Sequence, residues 1–408
     1  MSSDMSNSGH KPDGGSAQPK APPANQPKFW NDPKKRSLLF QTLLLAVLGY
    51  FFYSVVDNTL TNLEQRGITT GFDFLTQEAG FGIAMSLIEY TEASSYGATF
   101  FVGLLNTVLI AAMGIIAATI LGFLIGIARL SDNWLISKIS AVYIEIFRNI
   151  PLLLQIFFWY FAVLRTLPHP RQSIEFFSSF LNNRGLIVPA PVAEDGFGIV
   201  IFGFFAALVG SWFMSRWAKK RQEDTGQQFP IFWASVGLIL GVPLLLFLVS
   251  GMPMVLEHPE LKGFNFRGGI TVIPELIALW LALSIYTAAF IAETVRAGIL
   301  AVSHGQTEAA SALGLPKAKT LRFIVIPQAL RVIIPPLTSQ YLNLTKNSSL
   351  ATAIGYPDLV NVFAGTTLNQ TGQAIEVIAM TMAVYLTLSL VTSMFMNWYN
   401  ARIQLTER

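Results

Sequence analysis

The run from Phe100 to Ala128 contains no charged residue. About 20 apolar residues suffice to carry a helix across the hydrocarbon core of a bilayer. A water-soluble fold has no interior large enough for many such runs, and this chain repeats them. They recur approximately at Ser37 to Val56, Ile139 to Leu164, Phe197 to Trp217, Ile231 to Met252, Pro274 to Leu300, Leu321 to Asn343 and Ile375 to Trp398. Together they predict an all-α, polytopic helical membrane protein with about eight transmembrane helices. Only 12% of residues are charged, against about 25% in ordinary globular domains. The formal net charge of +3 is explained by sorting of charge across the membrane, without a nucleic-acid partner.

Lysine and arginine concentrate in the cytoplasmic connections of membrane proteins. Lys34, Lys35 and Arg36 are therefore placed inside, with Arg129 and Lys138. The same side takes Arg216, Lys219, Lys220 and Arg221, then Lys317, Lys319 and Arg322, and finally Arg402 and Arg408. Both termini are then expected in the cytoplasm. Asp57 to Gly97 carries Asp57, Glu64, Asp73, Glu78, Glu89 and Glu92 against Arg66 alone, and is expected to face outward.

Residues 1–33 are rich in Ser, Pro, Gly, Asn and Lys, without apolar periodicity, and read as a disordered cytoplasmic tail. Residues 34–99 read as a first transmembrane helix with an outward segment, and 100–408 as the core. Within that core, 197–252 reads as an added helix pair joined by the basic loop AKKRQEDTGQQ. There is no cysteine, and His10, His169, His258 and His304 are dispersed, so neither a thiolate site nor a histidine metal cluster is expected. No GxxxxGK[ST] phosphate loop, GxSxG elbow or HExxH helix is present. The chain is therefore not expected to hydrolyse ATP itself, and neither enzymatic activity nor a cofactor is expected of it.

Between two of the runs stands SHGQTEAASALGLPKAKT, Ser303 to Thr320. Ser303 followed by Gln306 has the capping-box form, Glu308 to Leu313 favours helix, and Gly314 with Pro316 supplies a left-handed stop. The spacing predicts a short cytoplasmic helix over 303–316. It could lie on the lipid interface as a connector or dock as a knob on a partner. Its few bulky apolar residues argue against interfacial insertion.

The run EAASALGLPKAKTLRFIVIPQAL, Glu308 to Leu330, resembles the EAA signature of membrane subunits of bacterial ABC importers. YIEIFRNIPLLLQ (Tyr143 to Gln155), YTAAFIAETVRAGI (Tyr286 to Ile299) and LTKNSSLATAIGYPDL (Leu344 to Leu359) are similar to runs in polar amino-acid permeases. NLEQRGITTGFDFLTQEAGF, Asn62 to Phe81, resembles the larger permeases of general L-amino-acid systems. The resemblance implies a type I importer with a five-helix core in the bacterial inner membrane, translocating L-amino acids by alternating access. It implies a second permease subunit, two ATP-binding subunits and a periplasmic amino-acid-binding protein as partners. It also makes Glu308, Ala309, Ala310, Gly314, Leu315 and Pro316 the coupling element that enters a cleft on the ATPase. An ion-driven secondary amino-acid transporter is the alternative, and a noncatalytic membrane scaffold a further one.

Glu145 with Arg148, and Glu293 with Arg296, stand three apart and can pair on a helix face. The orienting ion pair at a gate is the commoner role for such groups, and substrate contact the other. Lys346, Asn347, Ser348 and Ser349 follow a span that carries Pro335 and Pro336, and their polarity suits either a helix-exit loop or a protein-lined cavity. A zwitterionic substrate needs donors for its carboxylate and acceptors for its ammonium, and this group offers both. In related importers that bind substrate within the membrane the pocket involves this region. Tyr286 and Thr287 are further pocket candidates, for which core packing is the ordinary role. Gly122 and Gly126 form a GxxxG close-packing pattern.

Overall fold

The computed structural model of the chain describes residues 33–65, 70–263 and 265–403. The expected tail up to residue 32, with His10, and also Arg66 and Arg408 lie outside the described residues. The chain divides into two units, Met1–Thr70 and Gly71–Arg408. The first unit holds α1 (Pro33–Gln65), apolar from Lys35 to Thr59.

The second unit opens on an outward-predicted segment that packs on the core, Phe74 and Tyr96 being buried against Phe363. The contact boundary therefore falls at Gly71, ahead of the boundary at residue 100 expected from the sequence. There follow α2 (Tyr96–Ala128), α3 (Trp134–Asn149) and α4 (Leu152–Phe157), the last continuing through a π turn to Leu164. The run expected as one span over Ile139 to Leu164 is bent by 105° between α3 and α4. Pro151 is the cause: the residue before proline is pushed out of the helical region, and Ile150 is extended with ψ 127°.

Next come α5 (Phe197–Thr225), α6 (Ile231–Val249) and α7 (Pro274–Leu300). Short α8 (His304–Ala312) and α9 (Lys317–Thr320) precede a π turn and α10 (Ile326–Asn347). The chain then unwinds through a 3-10 turn at Ser348–Ile354 and a π segment at Val360–Thr367, before α11 (Leu368–Thr371) and α12 (Ala374–Ile403). Among the described residues, seven helices are long and apolar enough to cross a membrane, or eight counting the bent pair as one.

The core centres on α2 and α7, which run parallel. Trp280 Nε1 donates to the Met113 carbonyl at 3.2 Å. Further along the same direction, Gly122 meets Ala288 and Ile291, and Gly126 meets Ala292 and Val295. A β-carbon on Gly126 would stand 2.7 Å from the Ala292 carbonyl oxygen, so the GxxxG pattern is used for backbone approach. α10 packs on both: Ile333 lies against Gly298 of α7, and Leu344 against Gly114 of α2. α5 and α6 pack on each other, Gly203 receiving Leu246 and Gly210 receiving Leu238, and α6 buries no residue.

No strands are expected from the sequence, yet among the described residues eight short ones flank the α5–α6 pair. β1 (Ile174–Phe176), β2 (Ser179–Asn182), β3 (Gly185–Val188) and β4 (Ala190–Ala193) precede it. β5 (Met254–Glu257), β6 (Glu260–Lys262), β7 (Asn265–Arg267) and β8 (Ile270–Val272) follow it. They form an antiparallel sheet in the order β1-β2-β3-β8 and two two-stranded ribbons, β4-β5 and β6-β7. The sheet enters α7 directly, so it caps the end of the bundle opposite α8.

Candidate functional site

α8 is the first part of the site. Ser303 stands at its N-cap but makes no side-chain cap bond, and Gln306 is approached by Gln328 Nε2 at 3.4 Å instead. The expected capping box is therefore not made, because Gln306 is engaged across to α10. The stop forms as expected. Gly314 has φ +71°, its amide donates to the Ser311 carbonyl at 2.9 Å, and Leu315 donates to Ala310 at 3.0 Å, the paired bonds of a Schellman end. Ala310 is buried, whereas the Glu308 side chain is 77% exposed and Leu313 is 80% exposed. Glu308 has a distant neighbour, His304 Nδ1 at 4.0 Å. Ala309 and Pro316 are exposed and Leu315 half-buried. The small residues thus anchor the helix by Ala310 and leave an acidic and apolar face open. A β-branched residue at a φ near +71° costs about 1–2 kcal/mol. Gly314→Val should therefore raise amide exchange in the last turn of α8 by roughly tenfold, read by hydrogen–deuterium exchange.

The second part is a cavity of about 320 Å³ between α3, α7 and α10, lined by Arg148, Phe290, Glu293, Thr294, Pro336 and Gln340 among others. Glu293 and Arg296 pair as expected: the Arg296 Nε lies 3.0 Å from Oε2 and its Nη2 lies 2.6 Å from Oε1. Glu145 and Arg148 do not pair. Arg148 lies over the Phe290 ring at 5.2 Å and faces the Glu293 cavity, while Glu145 is exposed. A helix spacing of three permits a pair on one face, but here the cation finds an aromatic ring and a carboxylate on α7 instead. Tyr286 packs on Phe290 at 4.9 Å and joins the core, and Thr287 is buried.

The third part is a groove of about 450 Å³ where α10 unwinds beside α12. It is lined by Lys346, Ser349, Val360, Thr381, Met382, Tyr385, Leu386 and Ser389. Of the predicted residues, Lys346 and Ser349 face it. Ser348 is buried behind them, donating to the Thr345 carbonyl at 2.7 Å, and Asn347 is half-buried. Tyr286 and Thr287 are not among its lining residues.

The Ser349 hydroxyl donates to the Lys346 carbonyl at 2.7 Å, Thr381 to the Val377 carbonyl at 2.8 Å, and Tyr385 to Asp358 Oδ2 at 3.4 Å. A hydroxyl has one hydrogen and two lone pairs. With their hydrogens spent on the protein, the Ser349 and Thr381 oxygens offer lone pairs to an occupant, and Lys346 offers a positive donor, whereas the Tyr385 hydroxyl is turned among buried neighbours. No carboxylate lines the groove.

Behind Tyr385 lies a polar knot that sequence reading missed. Asp358 is fully buried and its Oδ1 accepts from the Asn361 amide at 2.8 Å. Ser348 and Thr107 are within hydrogen-bonding reach of the Tyr385 hydroxyl. Thr107 Oγ1 accepts from the Leu359 amide at 3.0 Å, Asn106 Nδ2 donates to the Pro357 carbonyl at 2.9 Å, and Tyr356 donates to the Asn106 carbonyl at 3.0 Å. Asp358 stands in the connection between the spans Ala318–Ile354 and Ala374–Arg402. Burial pushes its carboxyl up to about 7, against the opposing pull of the Asn361 and Val360 amides.

The chain is 58% identical to YhdX of Escherichia coli over 92% of its own length and 96% of that protein's. It is 54% identical to the general L-amino acid transport system permease protein AapQ of Rhizobium johnstonii, covering 92% and 94%. It is 42% identical to the glutamate/glutamine/aspartate/asparagine transport system permease protein BztB of Rhodobacter capsulatus, covering 92% and 96%. Residues 199–405 match the profile of the binding-protein-dependent transport system inner membrane component, a stretch that runs from α5 through α8 to α12. The exposed short helix beyond the bundle and the polar break in the membrane helices are thus features of a chain that belongs to the family of binding-protein-dependent transport system inner membrane components.

Proposed function

We propose that this chain is a permease subunit of an ATP-driven importer that carries L-amino acids across the bacterial inner membrane. The observation that carries the reading is α8, a helix outside the bundle with Glu308 and Leu313 open and Ala310 holding it down. The names of AapQ and BztB support amino acids as the cargo class. Glu308, Ala309, Ala310, Gly314, Leu315 and Pro316 form the element that meets an ATP-binding subunit. Two such subunits, a second and non-identical permease, and a periplasmic binding protein complete the transporter. Both termini and α8 face the cytoplasm, and the strand cap faces the periplasm.

The groove at the end of α10 is the substrate station. Lys346 receives the α-carboxylate and the hydroxyl oxygens receive the ammonium; the absence of a lining carboxylate leaves cationic side chains without preference. Asn347 and Ser348 shape its rear, with Tyr286 and Thr287 holding α7 in place. The Arg148–Glu293 cavity, braced by Arg296, acts as the gate on the α8 side. Binding and hydrolysis of ATP on the partner shift α8 and so alternate the side to which the groove opens.

The test uses proteoliposomes containing the complete transporter and binding protein. Uptake of radiolabelled L-glutamine is expected to need internal ATP and to be indifferent to ion gradients. Uptake that persists without the ATP-binding subunits and collapses with an ion gradient would establish the ion-driven reading instead. A charged hydrogen bond is worth about 1.5–3 kcal/mol. Lys346→Ala should therefore weaken L-glutamine binding to the solubilised complex about tenfold or more. Lys346→Arg should restore part of it.

A further inference from the structure

We propose that the tip of the β1–β2 hairpin, with Phe177 as its anchor, docks on the periplasmic binding protein. This rests on the reading of the chain as an importer subunit and names the part of the strand cap that makes the contact. The pairing of Phe176 with Ser179 leaves Phe177 and Ser178 as a two-residue turn, and both have positive φ, 46° and 57°. Such turns are ordinarily built from asparagine and glycine, because bulkier side chains are strained there. A phenyl ring adds nothing to the turn itself, and Phe177 is 96% exposed, so its ring is left outside the fold. A strained backbone that holds an aromatic side chain out in solvent points to a function for that side chain.

The register of the sheet places the tip. β8 passes through Ile273 into α7, with Val272 opposite Leu186 and Ile270 opposite Val188. The Leu186 end therefore adjoins the bundle, and there the β2–β3 turn is tied down, the Asn183 amide donating to the Pro168 carbonyl at 3.0 Å. Leu181 pairs with Leu186, so the Ser179 end of β2 points the other way. At about 3.4 Å per residue, the tip stands ~10 Å beyond Leu181 on the side away from α7. The apolar span of α7 begins at Pro274, and the tip thus projects past it into the aqueous phase.

The surroundings of Phe177 fit a protein partner. Ile174 and Phe176 share one face of β1 and are 48% and 42% exposed, and β1 is an outer strand of its sheet. Exposed Arg171 and Glu175 flank them in the chain. An aromatic anchor with apolar neighbours and a charged margin is the anatomy of a docking patch. A second permease meets the flanks of the bundle in the plane of the membrane, whereas a tip that projects beyond the spans is met first by a partner arriving from solution. The family to which the chain belongs is described by its dependence on a binding protein, and that protein is the partner that arrives this way.

The experiment measures equilibrium binding of the transporter's own amino-acid-binding protein, loaded with L-glutamine, to the complete transporter in lipid nanodiscs. Phe177→Asn supplies a residue that accepts positive φ and removes the ring. It is expected to weaken binding about tenfold or more, with the thermal midpoint unchanged or raised. Phe177→Tyr keeps the ring and should bind within about threefold of the wild type. Phe177→Cys puts a thiol into a chain that has none. Labelled there with bimane, and with the signal of the wild-type complex treated alike subtracted, the tip should show no quenching by brominated lipids and a blue shift when the binding protein is added. If the wild-type complex binds and Phe177→Asn binds within about twofold of it, or if Phe177→Asn and Phe177→Tyr lose affinity alike, the hairpin assignment is overturned and the importer reading stands. Quenching by brominated lipids would put the tip in the membrane and overturn the assignment likewise. If the wild-type complex takes up no binding protein, the importer reading falls, and this proposal with it.

Discussion

Glu308→Lys lowers ATP-driven L-glutamine uptake about thirtyfold while the protein inserts, assembles and melts as the wild type does. The magnitude follows from the position. A central contact of a docking surface is worth about 2 kcal/mol or more, equivalent to about thirtyfold in an association constant. Reversing the charge replaces an attraction with a repulsion at the same point. The fold is insulated from the change because the Glu308 side chain is 77% exposed and its ion-pair neighbour His304 lies 4.0 Å away. Exposed substitutions of this kind typically move stability by less than about 0.5 kcal/mol. ATP hydrolysis by the assembled transporter, uptake and thermal midpoint should be measured on one preparation. Loss of insertion or of the wild-type midpoint would show that Glu308 holds the fold and would count against a coupling role.

Gly126→Leu has the largest expected effect on the folded state. A β-carbon at Gly126 would stand 2.7 Å from the Ala292 carbonyl oxygen and 2.8 Å from the Val295 β-carbon. A carbonyl in the middle of α7 cannot swing aside as a side-chain tip can, so the helices must separate. Overpacking typically costs about 1–3 kcal/mol when side chains can shift, and this backbone contact lies at or beyond the upper end. Against a total stability of about 5–15 kcal/mol, the yield of monodisperse protein should fall about tenfold. Gly241→Leu is the control, since nothing lies within 4 Å of a β-carbon there, and its yield should match the wild type within about twofold. A wild-type thermal midpoint for Gly126→Leu would refute the close α2–α7 contact.

The spans and the end of α8 were legible because each is written in a local pattern. Apolar length marks a membrane helix, and Gly314 ahead of Pro316 marks a left-handed stop. The strands were not legible: β3 pairs with β8 across the whole α5–α6 pair. Runs of three or four residues, such as the wholly exposed β1, are too short for a two-residue alternation to register. The Glu145–Arg148 expectation failed for a related reason. Spacing along one helix says which side chains can meet, and the partners that compete for Arg148, Phe290 and Glu293, sit on α7. In the groove, Lys346 and Ser349 belong to one polar run, whereas Tyr385 and Asp358 meet only after the chain has unwound and turned back into α12.

The glycine contact between α2 and α7 bears on how a transport stroke can travel. Helices that touch backbone to backbone at Gly122 and Gly126 cannot slide past one another without lifting whole side chains over each other, so the pair turns as one stiff lever. α8 hangs from the end of α7 through Ala301, Val302 and Ser303, and Leu344, just before the groove, rests on Gly114 of the same lever. A few ångströms of displacement at α8 would therefore reach the groove as rotation of a rigid arm, with α10 and its unwound end as the part that yields.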